Sequence, residues 1–122
     1  MRYRRDETFR YTFNQPKHGL FQIVKVNGKD VESKQGKFLV HNISPRGMQV
    51  STSFDLMFKE GKDIIIQSTF ELVTEHTVHG RIAWQKRKDS YFYGIDLIID
   101  DQQSDYIIDD LKQFIHNEKS NL

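Results

Sequence analysis

Two stretches of the chain carry residue types that could recognise a phosphate or a nucleobase. The first is YRRDETFRY (3–11), where Arg4, Arg5 and Arg10 alternate with Tyr3, Phe9 and Tyr11. A guanidinium is a planar fork of donors. It pairs bidentately with phosphate or with the O6/N7 edge of guanine, and its plane stacks on bases. The ordinary alternative for such a stretch is a solvated, frayed terminus. The second is HNISPRGMQV (41–50). Ser44, Pro45 and Gly47 satisfy the first, second and fourth positions of a type I turn. Joining two strands would account for Pro45 and Gly47 but leaves Asn42 unexplained. An amide and a hydroxyl two residues apart can point the same way and offer paired donors and acceptors. Beside an arginine-rich arm, such a pair would suit guanine and phosphate.

Other chemistry is thin. No nucleophile elbow, zinc-binding His-Glu-x-x-His or phosphate-cradling glycine loop is present. His76 and His79 are three apart, which on a strand sets them on opposite faces. They are expected to be ordinary turn or surface residues. The pairs Asp100-Asp101 and Asp109-Asp110 are adjacent, so they do not face each other on a helix. They read as helix-start and solvated-face charges. Trp84, Tyr91 and Tyr93 read as barrel wall and core. The chain has no cysteine, which excludes disulfides and thiolate metal sites and suits a reducing cytosol. No catalytic residue, metal ligand or cofactor is therefore predicted, and the chain is not expected to be an enzyme.

The elements that must position these residues are mostly strands. The apolar runs LFQIVKV (20–26), KFLVH (37–41), MQVST (48–52), DIIIQSTFELV (63–73), HTVHGRIAWQK (76–86) and YFYGIDLII (91–99) are separated by turn-like NGKD, SPRG and RKDS. In the fifth run, Val78, Gly80, Ile82 and Trp84 alternate with His79, Arg81, Ala83 and Gln85. Gly80 and Gly94 fall inside strand patterns, where a curved sheet bends or backbones approach closely. Ile107, Ile108, Leu111, Phe114 and Ile115 then recur at helical spacing, predicting a helix over 103–117. The expected fold is mainly β, a small six-stranded antiparallel barrel with a C-terminal α-helix.

Length and charge bound the rest. The 122 residues fit one domain, 1–122, with residues 1–13 as a flexible arginine-rich arm. No apolar run approaches the roughly 20 residues of a membrane span, and no apolar segment follows the basic N-terminus to make a secretory signal. The chain is expected in the cytoplasm, without membrane insertion. Net charge is only +1. It is unevenly spread: residues 1–13 are net +2, and residues 100–122 are net −4. An anion would be drawn to the first end and repelled by the last.

The order RRDETFR, then NISPRG, then GRIAWQKRKDSYFYGIDLI (80–98), resembles the PilZ domain family of bacterial cyclic di-GMP receptors. The family motifs are RxxxR near the N-terminus and [D/N]xSxxG about thirty residues on. Asn42, Ser44 and Gly47 match the second motif in full. Arg5 and Arg10 read RxxxxR, one residue wider than the first. The amphipathic C-terminal segment agrees, and the resemblance covers nearly the whole chain.

The resemblance implies a cyclic di-GMP receptor without catalysis. Arg5 and Arg10 would grip phosphate and guanine from the arm, with Arg4 assisting. Asn42 and Ser44 would contact a guanine from the barrel, and Gly47 would let the turn pass close to the ligand. Arg46, in the same turn, would add charge that the motif does not require. The arm would order over the ligand, and the reshaped surface would signal to an unidentified downstream protein, in motility or biofilm control. Two rival readings stand beside it. A degenerate PilZ interaction module that no longer binds nucleotide is favoured by the wide arginine spacing. A single-stranded nucleic-acid binder is the weaker rival, because the basic residues gather at the arm and at Lys86-Arg87-Lys88 rather than along one groove.

Overall fold

The computed structural model describes residues 9–120. Seven strands and one helix follow in chain order. They are β1 (Tyr11–Val26), β2 (Lys29–Asp30), β3 (Gly36–Ser44), β4 (Gly47–Thr52), β5 (Ile64–Glu71), β6 (Glu75–Arg87), β7 (Tyr91–Ile98) and α1 (Asp101–Ser120). The sheet runs β2-β1-β3-β4-β7-β6-β5, and β5 pairs back onto β1. Six antiparallel strands therefore close a barrel, with the two-residue β2 as an extra strand on the end of β1. Closure removes the open edges that would otherwise invite pairing with other chains.

Alternation explains which side chains fill it. Phe38, Val40 and Ile43 of β3, Met48 and Val50 of β4, Ile64, Ile66 and Phe70 of β5, and Tyr93, Ile95 and Leu97 of β7 are all buried. The Asn27-Gly28 turn joins β1 to β2 with both residues at positive φ, 51° and 82°. That is the preference of a two-residue hairpin for Asn-Gly.

Helix α1 covers the barrel with Ile107 and Leu111 buried, and Phe114 packs edge-on against Phe13 at 5.8 Å. Asp100 caps it. The Asp100 carboxylate accepts from the Gln103 N–H at 2.8 Å, and the Gln103 side chain accepts from the Asp100 N–H at 3.0 Å, a reciprocal capping box. The helix spans 101–120 rather than 103–117.

Four local expectations change. Strand β1 begins at Tyr11, so residues 11–13 of the expected arm belong to the barrel wall. Its first half was hard to read because Asn14-Gln15-Pro16 interrupts the pattern, and the register against β3 shifts between Thr12 and Lys17. Trp84 does not stay in phase with Ile82. A bulge between them turns the indole outward, leaving it 40% exposed. His76 is no surface residue. It is 4% exposed, stacked on Phe70 at 5.6 Å and hydrogen-bonded to Asp110 at 2.6 Å. Asp110 is accordingly not a solvated-face charge.

Candidate functional site

The β3–β4 hairpin places the Asn-x-Ser-x-x-Gly residues. Ser44 pairs with Gly47, leaving Pro45 and Arg46 as a two-residue turn. Ile43 is fully buried, so Asn42 and Ser44 lie on the outer side of the barrel. They behave differently there. Asn42 is half-buried and engaged on both ends of its amide. Its Oδ1 accepts from Arg10 Nη1 at 2.5 Å, and its Nδ2 donates to Gln49 Oε1 at 2.9 Å. Ser44 is buried, and its hydroxyl turns back to donate to the Gly47 carbonyl at 3.3 Å. At Gly47, what disfavours a side chain is the neighbouring strand: a Cβ there would sit 3.1 Å from the Ile95 carbonyl, which would have to give by a few tenths of an ångström.

Arg46 faces away from Asn42. Its guanidinium pairs with Asp101 and donates to the Ile99 carbonyl. The turn is tied down further, since Ser104 Oγ donates to Pro45 O at 2.8 Å and Leu97 N–H donates to Arg46 O at 2.9 Å. The motif turn is thus anchored on the start of α1.

Register extends the site beyond the motif. Thr12 pairs with Asn42, Asn42 with Gln49, Gln49 with Gly94, and Gly94 with Trp84. Tyr93 and Ile95 point inward, so position 94 faces out, and the Trp84 indole lies directly over it. A side chain at 94 would collide with that ring. The outer face therefore carries a continuous row: a guanidinium, two amides and an exposed indole. Sequence reading missed Gln49 and Trp84. Gln49 is found only through strand register, and Trp84 is hidden by the bulge.

Arg10, Asn42, Ser44 and Gly47 are brought onto one hairpin and the strand beside it, while Arg4 and Arg5 lie outside the described residues. A cleft of about 320 Å³ opens elsewhere, between the irregular part of β1 and α1, with Phe13, Lys17, Phe114 and Glu118 among its walls. It holds none of the motif residues, and its one lysine is balanced by Glu118. Asn14, Gln15 and His18 also line it, so what sets the outer row apart is that the motif residues build it.

Next to the row, His41 Nε2 lies 2.7 Å from Ser51 Oγ. Burial holds the imidazole below its ordinary value, so it is neutral at neutral pH. That spacing matches a serine–base pair, but Ser51 is only 5% exposed, and no carboxylate bonds the ring among the described residues. A nucleophile must meet its substrate, and this one is covered. Among the described residues, no cluster of three His, Asp or Glu could hold a metal, and no helix is long and apolar enough to cross a membrane.

No protein-family model, curated protein or solved structure matches this chain.

Proposed function

We propose that this protein is a cyclic di-GMP receptor of the PilZ type. The observation that carries the reading is the Arg10–Asn42 contact. It joins, across 32 positions of sequence, the last arginine of the basic stretch to the first residue of the Asn-x-Ser-x-x-Gly motif. In this reading a phosphate of the ligand takes over Arg10, and Arg4 and Arg5 supply further guanidiniums. The freed Asn42 amide and Gln49 present donors and acceptors to a guanine edge. Trp84 offers a flat face on which a base can stack. Each charge-assisted hydrogen bond contributes roughly 1.5–3 kcal/mol, which must exceed the cost of ordering the residues involved. The asparagine at 42 spares a dianionic ligand the repulsion that a carboxylate would exert. The bound ligand changes the surface that a downstream protein partner reads.

Calorimetric titration of the chain with cyclic di-GMP, with GTP as control, tests the reading. Saturable binding on the order of micromolar or tighter is expected. No heat from either would remove it in favour of an interaction module that binds no nucleotide, and equal heats from the two would remove it in favour of a site with no preference for the cyclic dinucleotide.

A further inference from the structure

The outer row does not end at Trp84. On the next outward positions Leu39 pairs with Ser51, Ser51 with Phe92, and Phe92 with Lys86. The Phe92 ring has the His41 ring 5.3 Å away and the Lys88 ammonium 5.3 Å from its centroid. Lys86 and Lys88 are exposed. Neither is in an ion pair with a carboxylate of the described residues, where the paired cations are Lys25, Arg46, His76 and Arg81. Asp89 is the one acid in the turn that follows β6.

The two densest runs of basic residues in the sequence lie before β1 and at 86–88. The fold sets Arg10, the described member of the first, on Asn42 of β3, and Lys88 of the second over Phe92, whose ring reaches His41 of the same β3. Arg10 stands at one edge through Asn42, Lys86 and Lys88 stand at the other, and Trp84 and Phe92 lie between them on adjacent strands. Phe92 and Gly94 are two residues apart on β7, so the two rings sit about 7 Å apart along the strand direction.

We infer that this face, spanning β3, β4, β7 and β6, binds single-stranded nucleic acid. Cations at the edges suit a phosphate backbone, and aromatic faces between them suit unpaired bases. A duplex would not engage the rings, because its base faces are stacked on one another. Lys88 is long and flexible enough to leave Phe92 for a phosphate while a base takes its place on the ring. This inference goes beyond the cyclic di-GMP reading and does not depend on it. No guanine is needed, and Lys86, Lys88 and Phe92 take no part in the nucleotide site described above.

The test uses the full chain and a fluorescein-labelled oligothymidine of about 15 nucleotides, followed by anisotropy. Saturable binding is expected at about 50 mM salt, weakening by about tenfold or more at about 200 mM as counterions are released. The single tryptophan, Trp84, should be quenched as bases stack on it. Replacing Lys86 and Lys88 together by Glu should weaken binding about tenfold or more. Trp84→Ala should weaken it about fivefold or more. Absence of binding at low salt would overturn the inference. So would a Lys86→Glu, Lys88→Glu double variant that is folded by circular dichroism and binds as tightly as the parent. Polyglutamate of equal charge competing as well as thymidine, with no quenching of Trp84, would point instead to an acidic protein surface and would also overturn it. Because no cyclic dinucleotide enters the experiment, its failure is separate from failure of the receptor reading.

Discussion

Two polar networks in this small barrel are built from similar parts and placed oppositely. At the β3–β4 hairpin, Arg10, Asn42 and Gln49 form a chain of hydrogen bonds across the outer face. At the β5–β6 hairpin, Thr74 and His76 converge on Asp110 of α1. The Asp110 carboxylate accepts from the Thr74 N–H at 3.0 Å, the Thr74 hydroxyl at 3.0 Å and the His76 ring at 2.6 Å. The side chains of His76 and Asp110 are 3% and 9% exposed. The second network has a buried core, the His76–Asp110 pair, with the exposed Thr74 closing it from outside, so it acts as a clasp holding helix to barrel. The first lies at the surface, where water or a ligand can replace any of its bonds at small cost. A hydrogen bond contributes little when water can substitute for it, and a great deal when its loss strands a buried group. The same chemistry therefore fixes the fold in one place and leaves a recognition surface in the other.

The largest effect should come from breaking the clasp. Asp110→Ala leaves the buried His76 ring without its acceptor and should cost about 3 kcal/mol, read as a lowered urea midpoint. Asn42→Ala, at the surface network, should cost about 1 kcal/mol or less in the same assay. A reversal of that order would dissolve the distinction. The clasp also has an acid signature. Burial works to raise the Asp110 carboxyl, but the bonds from the Thr74 N–H, His76 and the Thr74 hydroxyl outweigh it and hold the group below the ordinary carboxylate range. A depressed carboxyl stabilises the folded state above its unfolded pKa, and that stabilisation is lost as pH falls through the folded value. Asp110→Asn should therefore flatten the loss of stability below about pH 4.

Next in size is Arg10→Ala, which should weaken cyclic di-GMP binding by about tenfold or more, roughly 1.4 kcal/mol, with little effect on stability. A change of less than about twofold would remove Arg10 from the site. Gly94→Ala should follow. The new methyl group meets the Trp84 indole, so the ring must move, at a cost of about 1 kcal/mol. Trp84 emission should shift, since it is the only tryptophan, and nucleotide binding should weaken. An unchanged emission spectrum would mean that the ring does not rest on position 94.

These variants also mark what the sequence could and could not convey. The barrel was legible because six strands alternate or run apolar between clear turns, and the helix because its apolar positions recur at helical spacing. Asn42, Ser44 and Gly47 were legible as a turn with one residue too many for a mere connector. Trp84 was misread because one bulged residue flips every side chain after it, and nothing local to Ile82-Ala83-Trp84 announces the bulge. His76 and Asp110 were misread because their contact spans 34 positions and is set by how the helix docks. Gln49 carries no motif; only the register opposite Asn42 gives it a role.

The smallest expected effect is at His41, where burial depresses the imidazole below its ordinary value. The unfolded chain takes up that proton more readily, so stability is full above about pH 6.5 and falls as pH drops toward the folded value. His41→Gln should show a smaller drop in urea midpoint between about pH 7.5 and about pH 5.5 than the parent chain. An equal drop would assign the pH response to other groups.

The most direct measurement is a two-dimensional amide NMR titration with cyclic di-GMP. The account predicts that the largest shifts fall on Arg10, the side-chain amides of Asn42 and Gln49, and the Trp84 indole N–H, while Thr74 and His76 at the clasp stay still. Shifts centred on the clasp or on the cleft beside Phe114, or none at saturating ligand, would contradict it.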